Sequence, residues 1–102
     1  MKIDGFDWDA VNLAKCQKHG VSVAEIEALF RSRSFVILPD LKHSLAEERL
    51  KAIGRSDAGR WIIMVFTFRV RNGLDLVRPV TVRYMHAKEV AEYEKTIPRF
   101  DV

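Results

Sequence analysis

The chain of 102 residues has one cysteine, Cys16, so neither a disulfide nor a thiolate metal site supports the fold. Long apolar runs are missing too. The longest, Trp61 to Phe66, is six residues against the roughly 20 that a membrane helix needs, and no basic-then-apolar leader opens the chain. The expectation is a soluble protein of the cytoplasm that makes no membrane contact. Glycine and proline number only 5 and 3, which excludes a collagen-like chain, and no internal repeat or low-complexity linker is present. Catalytic signatures are scarce as well: there is no glycine-rich phosphate loop, no His-Glu-x-x-His zinc helix and no Gly-x-Ser-x-Gly elbow. The three histidines, His19, His43 and His86, are too scattered to fix a metal from sequence. Neither a metal nor an organic cofactor is expected.

What is present fits one small globular domain. Apolar residues make up 48% and charged residues 30%, enough for a single two-layer core, and residues 1–102 read as one domain with its folded body from about Asp4 to about Pro98. Net charge is +3, and its distribution is uneven. Residues 1–30 carry three Lys/Arg against five Asp/Glu, whereas residues 31–102 carry fourteen against nine. Most of those later cations are arginines, whose planar fork suits phosphate and carboxylate. A phosphate-bearing or acidic partner is consistent with this; so is an ordinarily charged surface.

The pattern predicts a helix over Trp8 to His19 with Val11, Leu13 and Ala14 inside and Gly20 ending it. Ser22 and Glu25 form a capping-box pair bracketed by the apolar staple Val21 and Ile26, which starts a second helix burying Ile26, Leu29 and Phe30. After Arg31 the period changes. Strands are predicted over Ser34 to Leu38, Glu48 to Gly54, Arg60 to Arg69 and Leu74 to Arg83, with turns at Asp57-Ala58-Gly59 and Asn72-Gly73. In the last strand Leu76, Val80 and Val82 oppose Pro79, Thr81 and Arg83. His86 to Lys95 reads as a closing helix. The fold class is therefore α+β: two N-terminal helices, a four-stranded antiparallel sheet and a C-terminal helix.

Because antiparallel neighbours place cross-strand positions a few ångströms apart, Glu48, Arg49, Arg69, Arg78 and Arg83 are candidates to converge on one sheet surface. Such a cluster of like charges favours a polyanionic ligand. The plainer reading is scattered ion pairs worth about 0–1 kcal/mol each. His43 lies in a polar loop, where it could exchange a proton or simply be solvated. His19 is read as capping the first helix, His86 either faces Arg83 or merely begins the last helix, and Trp8 and Trp61 are expected in the core.

The ordered set Phe6-Asp7-Trp8-Asp9, Asn12, Lys18-His19-Gly20-Val21-Ser22, Glu25, His43-Ser44, Glu48-Arg49, Gly54, Gly59-Arg60, Arg78-Pro79-Val80-Thr81-Val82-Arg83-Tyr84-Met85, Glu89 and Tyr93-Glu94 resembles the BrnT family of toxins. The resemblance implies a RelE-like fold and the toxin half of a type II toxin-antitoxin pair. It also implies a BrnA-like antitoxin with a ribbon-helix-helix domain, in a heterotetramer of two toxins and two antitoxins, and repression of the shared operon by the complex. The charged positions it carries over as a functional group are Glu48, Arg49, Arg69 and Arg83, with His43 and Arg78; the first four and His43 are taken as catalytic candidates, and Arg78 is joined by Arg60 and His86 as candidates for substrate binding. One departure is Phe66-Thr67-Phe68-Arg69, where many relatives have a tyrosine before the threonine.

The resemblance implies a toxin that cuts RNA and stops growth, and the residue types suggest that it does so without a metal. The substrate 2′-hydroxyl would attack the phosphate, leaving a 2′,3′-cyclic phosphate and a 5′-hydroxyl, with arginines stabilising the growing charge and Glu48 or His43 taking the proton. The rival expectation is a catalytically weak module that clasps the antitoxin as co-repressor. Direct DNA binding by this chain alone is not expected, because no recognition helix is evident.

Overall fold

Asp9 starts the first helix. In the computed structural model, which describes residues 3–32, 35–40 and 47–96, its carboxylate accepts from the Val11 and Asn12 backbone N–H groups, both at 3.0 Å, while Asn12 Oδ1 accepts from the Asp9 N–H at 2.7 Å. This reciprocal cap occupies donors that a helix start otherwise leaves open. Helix α1 runs Ala10–Gln17, shorter than the predicted span, and its buried side chains are Asn12 and Cys16. Val11 is 72% exposed and Ala14 is exposed, contrary to expectation. The polar cap, not the apolar pattern, sets the rotation: with Asn12 turned inward, the residue one turn later that meets the core is Cys16.

Gly20 takes φ 89° and turns the chain out of α1, a left-handed conformation that suits glycine. Helix α2, Val23–Ser32, opens on the expected capping box: Ser22 Oγ accepts from the Glu25 N–H at 3.1 Å and Glu25 Oε1 accepts from the Ser22 N–H at 3.3 Å. Val21 and Ile26 are both buried, as the staple requires. Ile26, Leu29 and Phe30 then sink into the core, each stabilising by about 1.5–3 kcal/mol.

The sheet has five strands: β1 Gly5–Phe6, β2 Phe35–Pro39, β3 Leu50–Arg55, β4 Trp61–Arg71 and β5 Leu74–Tyr84, in the order β1-β5-β4-β3-β2. β2 to β5 are the predicted antiparallel meander. The expectation of four strands is corrected by β1, which pairs parallel to β5 with Gly5 opposite Leu76 and Phe6 opposite Val77, so the sheet is mixed. Two residues are too few to show an alternation, which is why periodicity misses them.

β4 lies in the middle of the sheet and is apolar on both faces, as predicted. Ile62, Met64 and Phe66 join Ala52, Val77 and Val82 beneath α1 and α2. In β5 the predicted alternation fails at a bulge: Val65 pairs with Thr81 but Phe66 with Pro79, leaving Val80 as the extra residue. Proline lacks the N–H that the ladder needs and is accommodated at such irregularities. Val77, Pro79 and Val82 are consequently the buried positions of β5. Helix α3, Ala87–Glu94, packs on the other face of the sheet, where Tyr93 meets Trp61 edge-on with ring centroids 5.4 Å apart.

Trp8 is half-buried and packs against the core, as expected, whereas Trp61 is half-buried against Tyr93 and is not part of it. An indole N–H needs a partner, and that of Trp8 donates to Glu27 Oε2 at 3.0 Å. Among the described residues no helix is long and apolar enough to cross a membrane.

Candidate active site

The face of the sheet opposite α1 and α2 carries the expected arginines, but it divides them into two groups. The first lies toward the β4–β5 turn. Arg69 grips Glu47 through both guanidinium nitrogens, at 2.7 and 3.3 Å, and Arg49 Nε lies 3.9 Å from the same carboxylate. Arg78, opposite Thr67 in the register, donates to Asp9 Oδ2 at 2.8 Å and Asp7 Oδ2 at 3.4 Å, and Arg71 reaches Asp7 at 3.2 Å. Hydrogen bonds from Arg69 hold the Glu47 carboxyl below the usual range. Glu48, the predicted acid, has an exposed side chain, and its contribution is its carbonyl, which accepts from the Thr67 hydroxyl at 2.9 Å. The geometry therefore puts Glu47 where the sequence pointed to Glu48. Adjacent side chains leave an extended chain on opposite sides, so a one-residue offset exchanges the two carboxylates.

The second group lies at the far end of β5. Arg83 pairs with Ile63, six positions before Arg69 on β4, which at strand spacing is about 20 Å away. One pocket gathering all the arginines, as expected, is thus not formed. Strand length separates them, and carboxylates from remote segments neutralise them: Asp7 and Asp9 for Arg78, Glu89 for Arg83. Arg83 binds Glu89 of α3 with both nitrogens, at 2.6 and 2.8 Å, and the His86 N–H adds a bond to Glu89 Oε1 at 2.9 Å. The Arg83 bonds first, then this N–H, pull the Glu89 carboxyl down to about 2.

Around Arg83 a recess of about 370 Å³ opens, lined by His19, Arg60, Arg83, Tyr84, Met85 and His86. Its walls come from both faces of the sheet. Tyr84 opposes Ile62 and so points toward the α2 side, where its hydroxyl donates to Glu25 Oε2 at 2.7 Å. Arg60, at the end of the β3–β4 turn, lays its guanidinium over the Tyr84 ring with 3.5 Å between carbon and centroid. Among the described residues no carboxylate lies within ion-pair distance of Arg60. His86 occupies the position before α3 and His19 the turn after α1; both are exposed, and the lining of this recess is what they share.

The predicted residues therefore divide as Arg49, Arg69 and Arg78 in one place and Arg60, Arg83 and His86 in another. His43 lies outside the described residues. Tyr84, Glu25 and Glu89 are absent from the predicted set of site residues; the signal for them is only their place in the ordered motif, since their roles depend on contacts between distant elements. The substitution at Phe66 falls in the core: the ring is fully buried beneath the helices, on the sheet face opposite Arg69 and Arg83. Cys16 is buried as well, and burial pushes its thiol up to about 11, so it is not poised as a nucleophile. Among the described residues no three His, Cys, Asp or Glu side chains group as metal ligands.

Chemically, the recess offers an anion the Arg60 guanidinium, with that of Arg83 beside it already paired with Glu89, and two imidazoles, the side-chain type suited to moving a proton. Residues 8–89 match the profile of a family described as ribonuclease toxin, BrnT, of type II toxin-antitoxin system. No curated protein matches the chain. With the match covering well over half of its length, the chain belongs to the BrnT family of ribonuclease toxins of type II toxin-antitoxin systems.

Proposed function

We propose that this toxin cleaves RNA by attack of the substrate's own 2′-hydroxyl, without a metal ion, with the scissile phosphate in the recess beside Arg60 and Arg83. The observation that carries this reading is Arg60, a cation in a recess lined also by Arg83 and two histidines and without a carboxylate partner among the described residues. The 2′-oxygen bonds to phosphorus as the bond to the 5′-oxygen breaks, giving a 2′,3′-cyclic phosphate and a 5′-hydroxyl. Arg60 and Arg83 stabilise the charge that grows on the phosphoryl oxygens; removal of one such donor typically costs about 10²–10³ in rate. His19 and His86, which line the recess, take the proton from the 2′-hydroxyl and return one to the departing oxygen in this reading. Arg49, Arg69 and Arg78 serve as contacts for phosphates further along the strand.

The antitoxin in this reading is BrnA-like, with a ribbon-helix-helix domain. A symmetric dimer of that domain would hold two toxin copies, as closed assemblies usually do.

The test is incubation of the purified chain with a defined RNA in EDTA, followed by end-group analysis. Cyclic phosphate ends that persist under chelation and fall about 10²-fold or more in Arg60→Ala are expected. Dependence on an added metal, or full activity on a substrate with 2′-deoxyribose at the cleaved position, would overturn the mechanism. Absence of cleavage together with intact antitoxin binding would support the co-repressor module instead.

A further inference from the structure

Arg60 is an unusual group to find held in one place. It ends a tight turn, where its own N–H donates to Ser56 Oγ at 3.2 Å and its carbonyl accepts from the Ser56 N–H at 2.8 Å, so the backbone is fixed. Its side chain is long and exposed, and among the described residues it makes no ion pair. The contact that locates the guanidinium is the Tyr84 ring, 3.5 Å away.

The ring is itself anchored. Its hydroxyl donates to Glu25 Oε2 at 2.7 Å, and the other oxygen of Glu25 accepts from the N–H and hydroxyl of Ser22 at 3.3 and 3.2 Å. Glu25 is thereby committed at both oxygens, one to the cap of α2 and one to β5. The same carboxylate attracts Arg60 electrostatically. We propose that Glu25 and Tyr84 form a positioning pair that holds Arg60 over the recess, ready to meet a phosphate without reorganising. This rests on the reading of the recess as the RNA-cleaving site.

The physical reason is preorganisation. A free arginine must be ordered when it binds the transition state, whereas one already stacked on an aromatic face spends less binding energy on ordering. A stacked guanidinium still presents N–H groups at its rim, because the ring occupies its face and not its edge. Sequence position gives no hint of this chain of contacts, since Glu25, Arg60 and Tyr84 come from three separate elements.

The experiment measures kcat and KM for cleavage of a defined RNA by the full chain carrying Arg60→Ala, Tyr84→Leu, Tyr84→Phe, Glu25→Ala, Glu25→Gln and the double change Arg60→Ala with Tyr84→Leu. Thermal unfolding is followed in parallel. Arg60→Ala is expected to lower kcat/KM by about 10²–10³-fold. Tyr84→Leu should approach the same loss, and the double variant should fall no further than Arg60→Ala alone, because the ring acts through the arginine. Tyr84→Phe keeps the stacking face and loses the tether, so its loss is intermediate. Glu25→Gln keeps an acceptor and should recover most of what Glu25→Ala loses.

Full activity in Arg60→Ala would remove the recess as the site, and the positioning pair with it. A large loss in Arg60→Ala with normal activity in Tyr84→Leu would leave the site standing and overturn the pair. So would a double variant whose losses multiply. Should Tyr84→Leu fail to fold, the comparison of Tyr84→Phe with and without Arg60→Ala decides the same point: an unchanged factor for the hydroxyl in both backgrounds overturns the proposal.

Discussion

Glu89 stands between Arg83 and the start of α3 and receives hydrogen bonds from both. Its carboxyl lies at about 2 in the folded chain against an ordinary 4.5, so the folded state favours the charged form. The stabilisation from the pair is therefore present above about pH 4.5 and is lost as pH falls toward about 2. Both side chains are roughly one-third exposed, at 37% and 34%, so solvent screening keeps the energy in the range of surface pairs. A carboxyl-resolved NMR titration should place the Glu89 midpoint near 2, and Arg83→Ala should return it toward 4.5. A wild-type midpoint already near 4.5 would mean that the two groups do not pair in solution, and Arg83 would then be free to bind phosphate unaided.

At the scale of elements, the join between α1 and the sheet depends on one polar residue. Asn12 is only 3% exposed; its Nδ2 donates to the Asp7 carbonyl at 2.9 Å and to the Pro79 carbonyl at 3.0 Å, while its Oδ1 accepts from Asp9. It thus ties the end of β1 and the cap of α1 to the bulge in β5. Asn12→Ala strands buried polar groups at about 1–3 kcal/mol. In a domain of this size that lowers the unfolding midpoint by several degrees, at roughly 4–8 °C per kcal/mol, and calorimetry or circular dichroism would read it. An unchanged midpoint would show that other contacts set the seat of α1. The same residue explains which parts of the fold are legible in the sequence. The α2 capping box, the Gly20 turn and the Asn72-Gly73 turn are local chemistry, visible in a few adjacent residues, and Asn72 and Gly73 do take positive φ of 54° and 75°. The pairing of the two-residue β1 and the seat of Asn12 on the Pro79 carbonyl are settled by partners some 70 residues away, and the bulge at Val80 by its register with β4, none of which a local pattern encodes.

Across the whole molecule the arginines of the strands lie on one sheet as expected, yet the sheet is long enough to keep them in two separate groups. Residue type and strand assignment make Arg49, Arg69, Arg78 and Arg83 visible as a set, whereas the distance between them and the identity of their carboxylates depend on register and on loops folding back. That separation makes the two groups distinguishable by substrate length. If the recess holds the scissile phosphate and the Arg69 group touches phosphates beyond it, Arg60→Ala should cost the same factor on a dinucleotide and on a long RNA. Arg69→Ala should cost more as the RNA lengthens, and the salt dependence of long-RNA binding should weaken by about 0.7 in log–log slope for each phosphate that is no longer neutralised. Glu47→Gln carries the opposite sign, because it removes a negative charge and releases Arg69 from a 2.7 Å bond, so long RNA should bind more tightly. Competition binding at several salt concentrations with these variants tests all of this together. A deficit in Arg69→Ala that is independent of RNA length, or weaker binding in Glu47→Gln, would assign the Arg69–Glu47 pair to holding β4 against the segment before β3 and not to RNA.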